Sequence, residues 1–146
     1  MRNFILKRQL VFVLFVLFGC LNIQAADDLI TQQITIKLDE AGTLPDKISS
    51  SEKYRITNLK IIGDINGTDV KLLREMAGSN FEIGVNPLGN LSTLDLQDAN
   101  IVEGGEIYAY EPRAENDHST HKDKIGMNMF RNCRKLANLI LPSNIK

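Results

Sequence analysis

The sequence predicts an α+β fold in which short strand-and-turn units stack as a solenoid fragment behind an N-terminal cap of one strand and one helical turn. Three observations predict it. An aliphatic hexamer of the form L-x-x-L-x-L (with Ile allowed) occurs three times, each copy followed by turn residues and one more aliphatic. A helix-period stripe lies between the first two copies, and a strictly alternating segment precedes them all. Internal repetition is weighed first because it decides the architecture of the whole chain.

The 146 residues hold 43% hydrophobic and 24% charged side chains, a globular balance for one small domain with an appendage. The appendage is the leader, residues 1–25. Arg2, Lys7 and Arg8 precede Leu10 to Phe18, an apolar run of nine residues, much shorter than the roughly 20 that a spanning helix needs. Charge followed by a short apolar run is the pattern of a secretory signal peptide. Ala25 with Ile23 at −3 is the preferred cleavage point. Leu17-Phe18-Gly19-Cys20 offers the alternative, a lipobox-like stretch with lipidation at Cys20, which would tether the chain without making it span. Without Arg2, Lys7 and Arg8 the 17 basic residues fall to 14 against 18 acidic ones, so the body carries −4. A weakly acidic body lacking a basic run argues against a nucleic-acid partner, because phosphate neutralisation needs concentrated Lys and Arg.

Residues 26–52 read as the cap. Ile34, Ile36 and Leu38 alternate with polar residues, as in a half-buried strand, and Leu44 to Ile48 make a helical turn with Pro45 near its start. Such a segment covers the first apolar face of a stacked fold. Residues 53–146 read as the irregular repeat region. Its strands are Ile56–Ile61, Leu91–Leu96 and Leu136–Leu141, closed by Ile65, Ile101 and Ile145. Alternate residues of each strand point inward, and the closing aliphatic is buried after the bend. The intervals, 35 residues from Leu59 to Leu94 and 45 from Leu94 to Leu139, exceed a simple repeat, so both gaps hold insertions. The first is a helix with Thr68 as N-cap, Asp69 at its positive end, a stripe of Val70, Leu73 and Ala77, and Gly78 at C′. The second, 111–124, is polar without periodicity and reads as an exposed loop.

These residues carry a resemblance. Ala41-Gly42-Thr43-Leu44, Asn66-Gly67-Thr68-Asp69, Leu73-Arg74-Glu75-Met76-Ala77-Gly78 and Gly104-Gly105-Glu106 with Tyr108 look like the N-terminal region of secreted Bacteroidetes leucine-rich-repeat proteins. Ile125-Gly126-Met127-Asn128-Met129-Phe130 through Cys133 to Leu136, ending Leu141-Pro142, is similar to one BspA-type repeat. The likeness spans residues 30–146. It implies a leucine-rich-repeat solenoid and a surface or secreted protein associated with adhesion and macromolecular binding. Family members stack many repeats, whereas this sequence holds scarcely one.

Chemistry-bearing residues are few. His118 and His121, beside Asp117 and Asp123, have metal-compatible types, but a polar loop gives them no rigid support, so no metal is expected. Phe130, Cys133 and Leu136 recur every third residue, which makes Cys133 a small buried hydrophobe on a tight turn. No P-loop, G-x-S-x-G, H-E-x-x-H or dinucleotide fingerprint is present, and no carboxylate pair is spaced for acid–base work. No cofactor and no enzymatic activity are expected. The candidate binding residues are therefore the outward strand positions Lys60, then Thr93, Asp95 and Gln97, then Asn138 and Ile140, with Tyr108 and Tyr110 as the aromatic candidates. The expected function is an exported binding module for a protein or glycan surface ligand. The alternative is a structural N-terminal cap of a longer repeat protein whose ligand surface lies beyond residue 146.

Overall fold

The computed structural model describes residues 28–79, 89–109 and 118–146. Four strands, β1 (Ile34–Lys37), β2 (Asn58–Ile65), β3 (Thr93–Ile101) and β4 (Asn138–Ile140), form one sheet in the order β1-β2-β3-β4, and every neighbouring pair is parallel. Two short helices, α1 (Leu44–Lys47) and α2 (Gly67–Met76), lie in the first two crossovers. This corrects the expected α+β solenoid fragment. A β-α-β-α-β-β order with an all-parallel sheet is an α/β arrangement, since parallel neighbours must be joined by crossovers rather than hairpins. The crossovers 38–57, 66–92 and 102–137 differ in length, so the strands are not evenly spaced as in a simple repeat. The segment read as the N-terminal cap supplies β1, an edge strand of the sheet.

The inward rows explain the strand choice. Ile34, Leu59, Leu94 and Leu139 stand at one level across all four strands. Leu59, Ile61, Ile65, Leu94, Leu96 and Ile101 are fully buried, as are Leu44, Val70, Leu73 and Met76 from the helical side. Each such side chain contributes roughly 1.5–3 kcal/mol when removed from water, the main term holding the helices on the sheet. In β3 the inward positions are Leu94 and Leu96, then Ala99 and Ile101. The change of parity marks a β-bulge: Lys60 pairs with Asp95 but Ile62 pairs with Asp98, so β3 spends one more residue than β2 over the same span.

The N-terminus of α2 is organised differently from the expected Thr68 cap. Asn66 is the N-cap, its side chain accepting from the Thr68 N–H, while the Asp69 carboxylate accepts from the Asn66 N–H in a capping box. Gly78 follows the C-cap at φ 78°, the left-handed position expected of it. The Phe130–Leu136 segment is tied by Cys133 N–H to Phe130 C=O and Leu136 N–H to Cys133 C=O, consecutive three-residue turns that leave Cys133 buried.

Candidate functional site

The outward face of the sheet holds the strand residues singled out from sequence, and the register aligns them. One row runs Asn58, Thr93, Asn138; the next runs Thr35, Lys60, Asp95, Ile140. The first row is linked sideways. Gln33 Nε2 donates to Asn58 Oδ1 and Asn138 Nδ2 to Thr93 Oγ1, both at 3.4 Å. In the second row Lys60 Nζ lies 3.5 Å from Asp95 and 2.6 Å from Asp98. The hydrogen bond to Asp98 holds the Lys60 ammonium above the ordinary lysine range. A third polar line continues toward the strand ends: Asn100 Nδ2 donates to Asp64 at 3.0 Å, and Asn144 Nδ2 donates to Asn100 Oδ1 and Asp123 Oδ1.

Asp95 has a structural duty that its position in the sequence does not announce. Its Oδ1 accepts from the Gln97 N–H at 2.9 Å, satisfying a backbone donor at the bulge, and the residue is only 8% exposed. Gln97 and Asp98 are both exposed as a result, side by side where a regular strand would expose one and bury the other. Ile140 is exposed on the outward face at the edge of the sheet. The face is thus largely polar, with Ile140 at its edge and the half-buried Ile62, in the row of Lys37 and Asp98, as its aliphatic members.

Tyr108 is not on that surface. It is fully buried, its hydroxyl donates to the Met127 carbonyl at 2.9 Å, and its ring meets His118 edge-on with centroids 5.9 Å apart. An aromatic in that position anchors the 118–129 segment and cannot serve as an exposed contact. Tyr110 and Cys20 lie outside the described residues. Of the loop expected to be exposed, His118, Thr120 and Asp123 are buried. Among the described residues no three His, Cys, Asp or Glu side chains come together as a metal-binding group. Burial pushes the Cys133 thiol up, against a smaller opposing effect of the Arg74 charge.

Two buried charges on α2 hold the scaffold behind this face: Asp69, which the sequence placed only at the positive end of the helix, and Arg74, to which it gave no role. Asp69 is fully buried. Its Oδ1 accepts from Leu44 N–H at 2.9 Å, and its Oδ2 accepts from Gly42 N–H at 2.6 Å and Asn66 N–H at 2.9 Å. One carboxylate therefore joins the start of α1 to the start of α2. The Gly104–Glu106 turn closes over the same point, with Gly67 N–H donating to Gly104 C=O and Glu106 N–H to the Thr68 hydroxyl. At the other end of α2, Arg74 donates to the Asn128 and Met129 carbonyls, both at 2.7 Å, and to the Ser79 hydroxyl at 3.1 Å. The recurring short motifs of the sequence meet in space at these two side chains. Only the S/T/D/N-x-x-D/E spacing of Asn66 and Asp69 could have signalled the first.

Compared with protein-family models and with curated proteins, the chain matches none. The likeness to BspA-type proteins rests on the motif residues alone.

Proposed function

We propose that this chain is an exported, non-catalytic binding module that engages a protein or glycan surface through the outward face of its parallel sheet. One observation carries the reading: outward side chains of β2, β3 and β4 stand in register as adjoining rows, polar except for Ile140 at the edge, over an aliphatic core. Strand-borne side chains on a rigid backing are held with less disorder than loop residues, which lowers the cost of ordering them on binding. Amide, hydroxyl and carboxylate groups dominate the face, matching ligands that offer many hydroxyl or amide partners. Its Lys60 is already paired, so recognition of one strong charge is not its chemistry. The charged leader with its apolar run supports export.

The test is an array of immobilised glycans and extracellular proteins probed with the chain and with Thr93→Arg and Asn138→Arg variants. The expected result is capture of at least one class of target that both variants lose while keeping the parent circular dichroism spectrum. Capture that survives both substitutions, or no capture on any surface, overturns the reading.

A further inference from the structure

We propose that copies of this chain associate head to tail, β1 of one copy adding to the outer edge of β4 of the next, so that the parallel sheet continues across the interface. Strand direction permits it without rearrangement. The strands are all parallel and lie in chain order, so a second copy displaced by one further strand position brings its β1 alongside β4 in the same orientation. Side-chain levels match as well. Ile34 and Leu139 belong to one row and Thr35 and Ile140 to the next. The added β1 would set Ile34 beside Leu139 on the inner face and Thr35 beside Ile140 on the outer.

The aliphatic core is open at the edge this would cover. Leu59 and Leu94 are fully buried, but Leu139 in the same row is only partly so, and Ile140 and Leu141 are 45% and 44% exposed. At the opposite edge Ile34 and Ile36 are half-buried and Leu29 is 48% exposed. Among the described residues no strand pairs with the outer side of either edge. An aliphatic edge of this kind is a template for strand addition.

Charge decides between a second β1 and a second β4. Residues 118–146 expose Lys122, Lys124, Arg131, Arg134, Lys135 and Lys146, while their one acidic residue, Asp123, is buried. Around β1 and α1 the exposed acids are Asp28, Asp39, Glu40, Asp46 and Glu52, against exposed Lys37 and Lys47. A two-fold pairing of β4 with β4 would set the basic segments against each other. The head-to-tail contact sets basic against acidic. Such a contact is heterologous and open-ended, so it builds chains of copies rather than closed dimers.

The test mixes two variants of the exported chain, Thr35→Cys and Ile140→Cys, under mild oxidation. Within one copy these positions are three strand spacings apart, about 14 Å, beyond the roughly 7 Å Cα separation that a disulfide can bridge. The expected result is a covalent dimer from the mixture and little from either variant alone. Sedimentation velocity of the unsubstituted chain should show mass rising with concentration and falling as salt is added. Cross-linking of Ile140→Cys with itself as readily as in the mixture would assign β4–β4 pairing and overturn the proposal. So would an unsubstituted chain that stays monomeric and a mixture that gives no cross-link.

Discussion

Replacing Asp69 with asparagine changes one oxygen to an NH₂ and almost nothing in volume, yet it removes the group that joins α1 to α2. The carboxylate accepts three backbone N–H bonds and is fully buried, so no water stands ready to replace it. An amide keeps one acceptor oxygen. Placed at the Oδ2 position, that oxygen retains the Gly42 and Asn66 bonds and points its NH₂ at the Leu44 N–H; reversed, it keeps Leu44 and orphans two donors. A hydrogen bond to a charged group contributes about 1.5–3 kcal/mol, and a stranded buried donor adds to the loss, so the less damaging orientation costs about 2–4 kcal/mol. That is a large share of the roughly 5–15 kcal/mol that holds a domain folded. With a urea m value near 1.5 kcal/mol/M, the unfolding midpoint should fall by about 1.3–2.7 M. Asp46→Asn, an exposed first-turn acid of α1, serves as the control and should move stability by no more than about 0.5 kcal/mol. If Asp69→Asn unfolds at the same urea concentration as the parent, with an unchanged m value, the two-helix anchor is refuted.

Gly67→Ala should destabilise the chain even though alanine is the better helix former by about 1 kcal/mol, because its Cβ would run into the Glu106 carbonyl of the turn closing over α2; a raised melting temperature would contradict that contact. Arg74→Lys keeps the charge but loses the planar fork whose Nη1 reaches the Asn128 and Met129 carbonyls while its Nη2 reaches the Ser79 hydroxyl. A loss of about 2 kcal/mol in urea unfolding is expected, and an unchanged midpoint would mean the fork is dispensable. Burial alone would push the Glu75 carboxyl up, but hydrogen bonds from Lys53 and Tyr54 outweigh it and hold the group below the ordinary glutamate range. A lowered folded-state value gives stability that is present above the ordinary glutamate pKa and lost as pH falls through the folded one. Glu75→Gln should therefore flatten the acid side of a stability-against-pH curve, and an identical acid limb would count against the tether. With Cys20 replaced by serine, Cys133 should react slowly with a thiol reagent such as DTNB until the chain is unfolded, and rapid labelling of the native chain would place the thiol at the surface.

The parts of this fold that were legible in the sequence are those set by local periodicity. Leu59 with Ile61, and Leu94 with Leu96, carry the period of two, and the structure places all four in the core. The α2 stripe and Gly78 follow from the helical period and from C′ chemistry. The fold class is not legible in the same way: hexamer patterns and their unequal spacing report where strands are, but not that the alternating segment before them joins the same sheet as a fourth parallel strand. Residue type alone offers Thr68 as the cap. The true cap sits two residues earlier, where Asp69 can reach back to Asn66. The β3 bulge was invisible, since Leu94-Asp95-Leu96-Gln97 alternates cleanly and the parity changes only at Asp98-Ala99. Tyr108 illustrates the limit for sites. Residue type alone ranks a tyrosine as a surface anchor, but its ring is buried and its hydroxyl has a carbonyl partner 19 positions away that no local pattern discloses.

The outward face and the sheet edges bear on each other. Nearly every polar side chain on the face has a neighbour on the same face: Lys60 with Asp95 and Asp98, Asn138 with Thr93, Asn100 with Asp64 and Asn144. A ligand must exchange those contacts for its own, so each new hydrogen bond gains only the difference between two similar bonds. With Tyr108 buried, none of the tyrosine candidates placed by the structure supplies a large desolvated anchor to offset that. On the proposed reading one copy would therefore bind weakly. Head-to-tail addition of β1 to β4 repeats the same rows at a fixed spacing without adding any contact to the face itself, and a polymeric ligand meeting several copies gains through effective concentration what a single face lacks. The two proposals make a joint demand that either alone does not. Substitutions at Ile140 and Leu141 that stop self-association should weaken capture of a polymeric ligand far more than capture of its monomeric unit. Equal loss for both would separate the edge from the face, and would leave Ile140 as a direct ligand contact instead.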